Sequence, residues 1–399
     1  MREIKTDAVR CPVCSSADVV WLGPAFAVPI LMNRLYATRD QARSAPSGDV
    51  RLARCASCGF TWNSAFRPDL IAYDGDYENE QSLSQVFMDH LESRVADVIE
   101  AAQSLKYLEV GCGQGSFLAR VALAAGDRLI AAEGFDPAWR GVDGGGPFAA
   151  RIHKRYFTPE SAALLAAPPN VVATRHTIEH VPDPLGFLGA IRSALGDAAQ
   201  ATIFVETPCV DWIFRHDAMQ DFFYEHCSIF TARALATALE RAGFHAPTVE
   251  HVFGGQYLWA RARTTPDGAP GTTPAPLDAR DVSSRRNEFI SRWRRAAADA
   301  ARKGRCAIWG AGAKGVNFAL MTAAPAHNPF DHVVDINPAK QGRRVAGSGL
   351  EALSPSQSVE RGVACYFVMN PNYRDEIAAC LEALGSDAEL VAVDGGNGP

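Results

Sequence analysis

At 399 residues the chain is too long for one ordinary hydrophobic core, so two or three domains follow from length alone. Apolar residues make up 47% and charged residues 21%, a globular balance, and a net charge of −6 disfavours nucleic acid or an anionic membrane as partner. No apolar run is long enough to cross a bilayer, the N-terminal "MREIKTDAVRCPVC" has no apolar signal core, and scattered cysteines then fit a reducing cytoplasm.

The first 72 residues carry two CxxC pairs, Cys11 with Cys14 and Cys55 with Cys58, and little helical periodicity. A CxxC turn aims two thiolates at one point, and two such turns complete a closed four-sulfur site suited to structural zinc. Such a site contributes about 10–16 kcal/mol of apparent binding energy in small peptides. A redox dithiol or uncoupled thiols are the other readings. Next comes a helix over "SQVFMDHLESRVADVIEAAQS", with Val86, Phe87, Leu91, Val95, Val98 and Ile99 at helical spacing.

From 105 onward strand and helix patterns alternate, which implies a parallel sheet with helices on both faces. "KYLEVGCGQGSFLARVALAAG" reads as strand, glycine turn and helix, with Glu109 at the strand end and Gly111, Gly113 and Gly115 in the turn. Glycines let the backbone approach a ligand, and the helix N-terminus is electropositive. An acidic residue at the strand end suits a cationic ligand near the turn. Asp136, in "GFDP" after the second strand, can hold two ribose hydroxyls. Together these features point to S-adenosylmethionine (SAM), with a nicotinamide cofactor as the rival.

"NVVATRHTIEHV" supplies the third strand and "ATIFVETP" the fourth; His176 and His180 follow the third, in a cofactor or acid–base role or as turn residues. Then "FFYEHCSIFT" sets Tyr224, Glu225 and His226 among aromatics, where they serve acid–base chemistry or are satisfied core groups. Residues 264–282 are rich in Pro, Gly and Thr and read as a linker. A basic helix follows, read as a solvated face. "AIWGAGAKG" then places Gly310, Gly312, Lys314 and Gly315 after a strand and before a helix, with Asp335 ending the next strand. That passes for a dinucleotide fingerprint, although Lys314 also suits an anionic group of an acceptor.

"CPVC…RCASCGF", "YLEVGCGQGSFL", "GFDP", "IEHVPDP", "YEHCSIFT", "GAGAKG" and "VVDINPAKQGR" together resemble the SAM-dependent sugar C-methyltransferases, over nearly the whole chain. The resemblance implies an α/β fold with three parts. A zinc-binding domain (1–72) precedes a class I, Rossmann-like methyltransferase core (73–263); after the linker (264–282) comes a second Rossmann-like domain that frames the acceptor (283–399). It implies transfer of a methyl group to a carbon beside a ketone, on a nucleotide-linked ketosugar, with no nucleic acid or membrane partner. His226 and Glu225 would carry the acid–base role, with His226 as base and Glu225 on the imidazole or on the acceptor. Tyr224 and His180 would meet enolate charge, and Tyr77 in "YDGDYENEQS" would close over the cofactor. Lys314 and Asn370 lie where the family places its acceptor, although "MNPNY" and Phe253 depart from its pattern. An O- or N-methyltransferase, a NAD-binding oxidoreductase and a non-catalytic nucleotide-binding scaffold are the alternatives.

Overall fold

The structure is a computed structural model that describes residues 9–73, 76–80, 82–196, 200–269, 271–277, 282–323 and 328–393. Residues 270 and 278–281 of the expected linker lie outside the described residues, as do 74, 75 and 81 around the Tyr77 segment. Among the described residues no helix is long and apolar enough to cross a membrane.

The helix after the cysteine head spans Gln85–Glu100. Ser84 starts it by accepting a hydrogen bond from the Phe87 amide, an N-cap. Phe87, Leu91, Val95 and Val98 recur at three- and four-residue steps, so one face is buried.

A seven-stranded sheet forms the middle of the chain. Its spatial order is His245–Val252, Tyr257–Arg263, Thr202–Pro208, Val171–Arg175, Leu105–Val110, Leu129–Phe135 and Ala150–His153. The expected four strands lie side by side and parallel. Tyr257–Arg263, however, runs antiparallel to both neighbours, so the sheet is mixed. The cause is the turn Phe253–Gln256, with positive φ at Phe253, Gly254 and Gly255. Strands joined by so tight a turn can only run antiparallel. Ala150–His153, a four-residue edge strand, has too little alternating apolar pattern to stand out in sequence.

The C-terminal sheet has five parallel strands in the order Ala352–Leu353, His332–Val334, Arg305–Trp309, Val363–Val368 and Glu389–Ala392. The first strand lies in the middle, so connections leave it to opposite sides. That reversal opens a crevice at the strand ends.

The basic helix Val282–Lys303 is more than a solvated face. Val282, Phe289, Trp293 and Ala297 form a buried stripe, and Trp293 packs edge-on against Phe318 and Phe367. The arginines occupy the rest of the circumference. Trp293→Ala is expected to cost about 3–5 kcal/mol of stability in denaturant unfolding, because it empties a fully buried ring site.

A four-stranded sheet completes the head. Val19–Trp21, Leu52–Cys55 and Thr61–Asn63 come from the N-terminus, but the fourth strand is Ser228–Ile229.

Candidate active site

The four head cysteines converge, with their sulfur atoms within 4.8 Å of one another. Cys11 and Cys58 approach to 3.7 Å, and Cys14 and Cys55 to 3.4 Å. A tetrahedron with Zn–S bonds of about 2.3 Å has edges of about 3.8 Å, so the donor set and spacing fit a metal ion of that kind.

The first glycine turn lies between Leu105–Val110 and the helix Ser116–Ala125, with positive φ at Gly111, Gly113 and Gly115. Gly111 is dictated by close approach: a Cβ there would meet Thr177 Oγ1 at 2.0 Å. At Gly113 a Cβ would meet nothing within 4 Å, so the turn faces open space. Asp136 braces the loop, accepting from the Gly113 amide at 2.8 Å and the Ala138 amide at 2.7 Å. Glu109 is buried with Oε2 unpartnered among the described residues. Burial pushes its carboxyl up to about 8, against the pull of Arg175. A buried carboxyl with one oxygen unpartnered fits a ligand that brings a cationic group.

At the end of the next strand Arg175 donates to Glu206 at 2.6 Å, and His90 contacts the same carboxylate. His176 has φ +49, uncommon for a non-glycine residue. It faces Glu179 at 3.4 Å and lies edge-on to Tyr257. Burial raises the Glu179 carboxyl, but the opposing effects, led by the His176 hydrogen bond and then the His176 charge, outweigh it and hold the group low.

One cavity of about 550 Å³ joins this strand end to the second glycine turn. Its wall includes Tyr77, His176, His180, Glu225 and His226 on one side, and Gly310, Lys314, Asp335 and Asn370 on the other. Glu109, Gly111, Gly113, Gly115 and Asp136 do not line it. The wall therefore unites most of the expected catalytic residues with both expected acceptor residues.

His226 borders the cavity with its ring edge-on to His180 at 4.9 Å and to Phe223 at 4.8 Å. Burial, and then His180, push its imidazole down to about 3. The ring is therefore neutral near pH 7, and no hydrogen bond among the described residues occupies its nitrogens. Glu179, His180 and His226 bring ligand-capable atoms within 4.8 Å of one another. His180 is fixed from behind, its Nδ1 lying 3.1 Å from the Tyr73 hydroxyl.

Glu225 does not touch the imidazole. Its Oε2 accepts from the Met32 amide at 2.8 Å. Oε1 lacks a hydrogen-bonded partner among the described residues, although the Tyr77 hydroxyl favours its charge. Burial pushes this carboxyl up to about 7. The carboxylate beside His226 is Glu179, which the sequence singled out only within a turn motif.

Tyr224 is a correction. It points out of the cavity, and its hydroxyl accepts from the Arg67 amide at 2.9 Å. Phe223 takes the wall position instead. Tyr77 lines the cavity under Tyr73 rather than lying on the surface. Lys314 is already paired with buried Asp221 at 2.9 Å and sits over the Trp212 ring. Asn370 donates to Gln256 at 3.0 Å and caps Asn372. Asp335 is engaged on both oxygens: it accepts from the Ala311 amide, Lys340 and the Asn337 amide. The ribose-binding role that a NAD reading needs would have to displace these bonds. Asn33, Asp221, Gln256 and Tyr373 also line the cavity. Nothing local in the sequence marks them, because they belong to separate units brought together by folding.

The chain is similar to known methyltransferases. The methyltransferase domain family matches residues 83–248, and the C-methyltransferase C-terminal domain family matches residues 279–392. The chain is a SAM-dependent methyltransferase. It is 23% identical to the C-methyltransferase NovU of Streptomyces niveus, over 94% of this chain and 93% of that protein. The two matched domains and this relative support a SAM-dependent C-methyltransferase. Among solved structures it is similar to a SAM-dependent methyltransferase from Aquifex aeolicus, at 16% identity and TM-score 0.33, over 43% of this chain and 89% of that one. It is also similar to the SAM-bound magnesium protoporphyrin IX methyltransferase from Synechocystis PCC 6803, at 14% identity and TM-score 0.33, over 47% and 88%.

Proposed function

We propose that the enzyme methylates a carbon beside a ketone, on a nucleotide-linked ketosugar or related metabolite, with His226 as the base. The supporting observation is the single cavity that runs from His226 to the second glycine turn. The helix Ala313–Thr322 starts at Gly312 without a side-chain cap, and Gly310, Gly312 and Ala313 stand in the cavity wall. Uncapped amides at a helix N-terminus suit an anionic group such as a diphosphate. The second Rossmann-like unit would thus hold the nucleotide end and leave the sugar beside His226.

A ketone acidifies the neighbouring C–H. A ring nitrogen of His226 takes that proton, and the C–H electrons become the enolate. Glu179, held ionised close by, stabilises the resulting imidazolium. Tyr77 is the donor for the enolate oxygen, because burial, and then Glu225, keep its hydroxyl protonated. When bound, SAM supplies an electrophilic methyl group on a sulfonium. Glu109, Gly111, Gly113, Gly115, Asp136 and His176 would hold it. Zinc at Cys11, Cys14, Cys55 and Cys58 would have no open position for substrate, and its role is structural.

Proton removal is tested directly. Enzyme and a keto-nucleotide acceptor in deuterated water, without SAM, should exchange hydrogen for deuterium at the carbon that is later methylated. Methylation at oxygen or nitrogen with no such exchange would sink the enolate.

Glu109 makes SAM binding pH-dependent. Its carboxyl stays protonated up to about pH 8 in the free protein, and a cationic ligand favours the ionised form. Affinity should therefore strengthen as pH rises from 6 to 8, by up to about tenfold per unit for one proton released. Calorimetry should find this component missing in Glu109→Gln; an identical slope in the variant would remove Glu109 from the site.

A further inference from the structure

The residues around His226 are tied to the cysteine head as well as to the methyltransferase core. Upstream, Tyr224 accepts from the Arg67 amide at 2.9 Å and Glu225 from the Met32 amide at 2.8 Å. The Tyr224 ring lies so close to the head strand Ser47–Val50 that a Cβ at Gly48 would meet it at 2.3 Å. Downstream, the Cys227 carbonyl accepts from the Asn63 amide at 3.0 Å. Ser228 and Ile229 pair with Trp62 and Thr61. Phe230 packs on Phe60 at 5.0 Å. Thr231 donates its hydroxyl to the carbonyl of Cys58 at 2.7 Å. Ties to the core run alongside these: Ser228 donates to the Val181 carbonyl, and the Phe230 carbonyl accepts from the Val210 amide at 2.9 Å.

Two of these ties reach the cysteine turn itself. Cys58 is one of the four converging thiols, and Thr61–Asn63 pairs with the strand that ends at Cys55. The turn between them is closed by the Gly59 amide on the Cys55 carbonyl and the Cys55 amide on the Phe60 carbonyl, both at 2.9 Å. A metal held by the four thiolates would fix this turn. Without it, the ends of the long loop keep the Val19–Trp21 pairing and the Ala56 amide on the Asp18 carbonyl but lose the tie at the thiols.

We propose that the four-cysteine head positions the base: its turn fixes the catalytic strand through Thr231 and the Thr61–Asn63 pairing, and so sets where His226 stands. Thr231 is a positioning residue: its hydroxyl donates to the Cys58 carbonyl and accepts from the Ala234 amide, so it links the cysteine turn to the end of the strand and to the helix Ala232–Arg241. Metal loss therefore slows proton removal more than it weakens SAM binding, whose residues lie on the other sheet. The inference rests on His226 as base, but its structural arm is measured without turnover.

The experiment compares the zinc-loaded protein with chelator-treated protein. Amide hydrogen exchange over residues 222–231 should accelerate on chelation, while calorimetric SAM affinity stays as in the loaded protein. Equal protection of 222–231 in both states overturns the proposal. So does loss of SAM binding together with the whole fold, which would make the head a general stabiliser. Thr231→Val in the loaded protein should lower kcat about 10- to 100-fold with the KM for SAM unchanged, in proportion to deuterium exchange into the acceptor. Thr231→Ser, which keeps the hydroxyl, should restore most of the rate. A valine variant as fast as the parent, or one whose serine counterpart is equally slow, overturns it too. Full turnover in His226→Ala would remove the base assignment alone, and the exchange data would still report whether the head orders the strand.

Discussion

His226→Ala is expected to lower kcat by about 10²–10⁴-fold, the range of a general base, while SAM affinity stays nearly unchanged. The split follows from position. His226 stands in the cavity wall beside His180 and Glu179, whereas the first glycine turn is not part of that wall. Removing the ring leaves Glu109, Asp136 and the turn intact. Its imidazole, pushed down to about 3 by burial and by His180, is already neutral at working pH, so it can accept a proton without first losing one. Such a ring is a weak base at rest. The developing enolate and the ionised Glu179 must raise its proton affinity during the step. Single-turnover kinetics with calorimetry would check both halves, and turnover near the parent's rate would remove His226 as base. Deuterium exchange without SAM should disappear with it.

Glu225→Gln should erase the acid limb of the pH profile. Burial pushes the Glu225 carboxyl up to about 7, so near pH 6 most of it is protonated and above pH 8 most is ionised. If the ionised form supports acceptor binding through the unpartnered Oε1, kcat/KM rises through about pH 7 and then levels. His226, at about 3, adds no limb between pH 5 and 8. kcat/KM reports the free enzyme, the state whose burial sets these values. Glutamine keeps the shape and cannot ionise, so with SAM saturating, which removes the Glu109 contribution, its kcat/KM for the acceptor should be flat and low. A parent profile without this limb would show that Glu225 ionisation is not used. Linkage predicts a companion effect. The folded carboxyl holds its proton above the unfolded value of 4.5, so Glu225 lowers stability as pH rises from about 4.5 through 7. The glutamine variant should lose that slope in denaturant titrations.

Chemistry written in adjacent residues was legible from sequence. Each CxxC pair is a local turn, and each glycine turn is a strand–loop–helix whose backbone needs leave a compositional mark. The Glu–His pair stood out because charged groups are rare among aromatics. Helix Gln85–Glu100 was readable because its own spacing generates its buried face. Edge strand Ala150–His153 and the antiparallel Tyr257–Arg263 were not, since short edge strands and turn geometry leave weak patterns.

Tertiary structure alone decided which way each side chain points and which distant residues it meets. Tyr224 and Phe223 are neighbours in the chain, yet only Phe223 lines the cavity, because the Tyr224 hydroxyl is held by the Arg67 amide and its ring packs on Gly48. Glu225 adjoins His226 in sequence but bonds Met32, while Glu179 is brought near the imidazole from another turn. Lys314 looked free for an acceptor until folding placed Asp221 beside it. Residue order carries local geometry and the choice of chemical groups. Partnership across units depends on where sheets pack, and in this chain the head's sheet completes itself with the strand that follows the base.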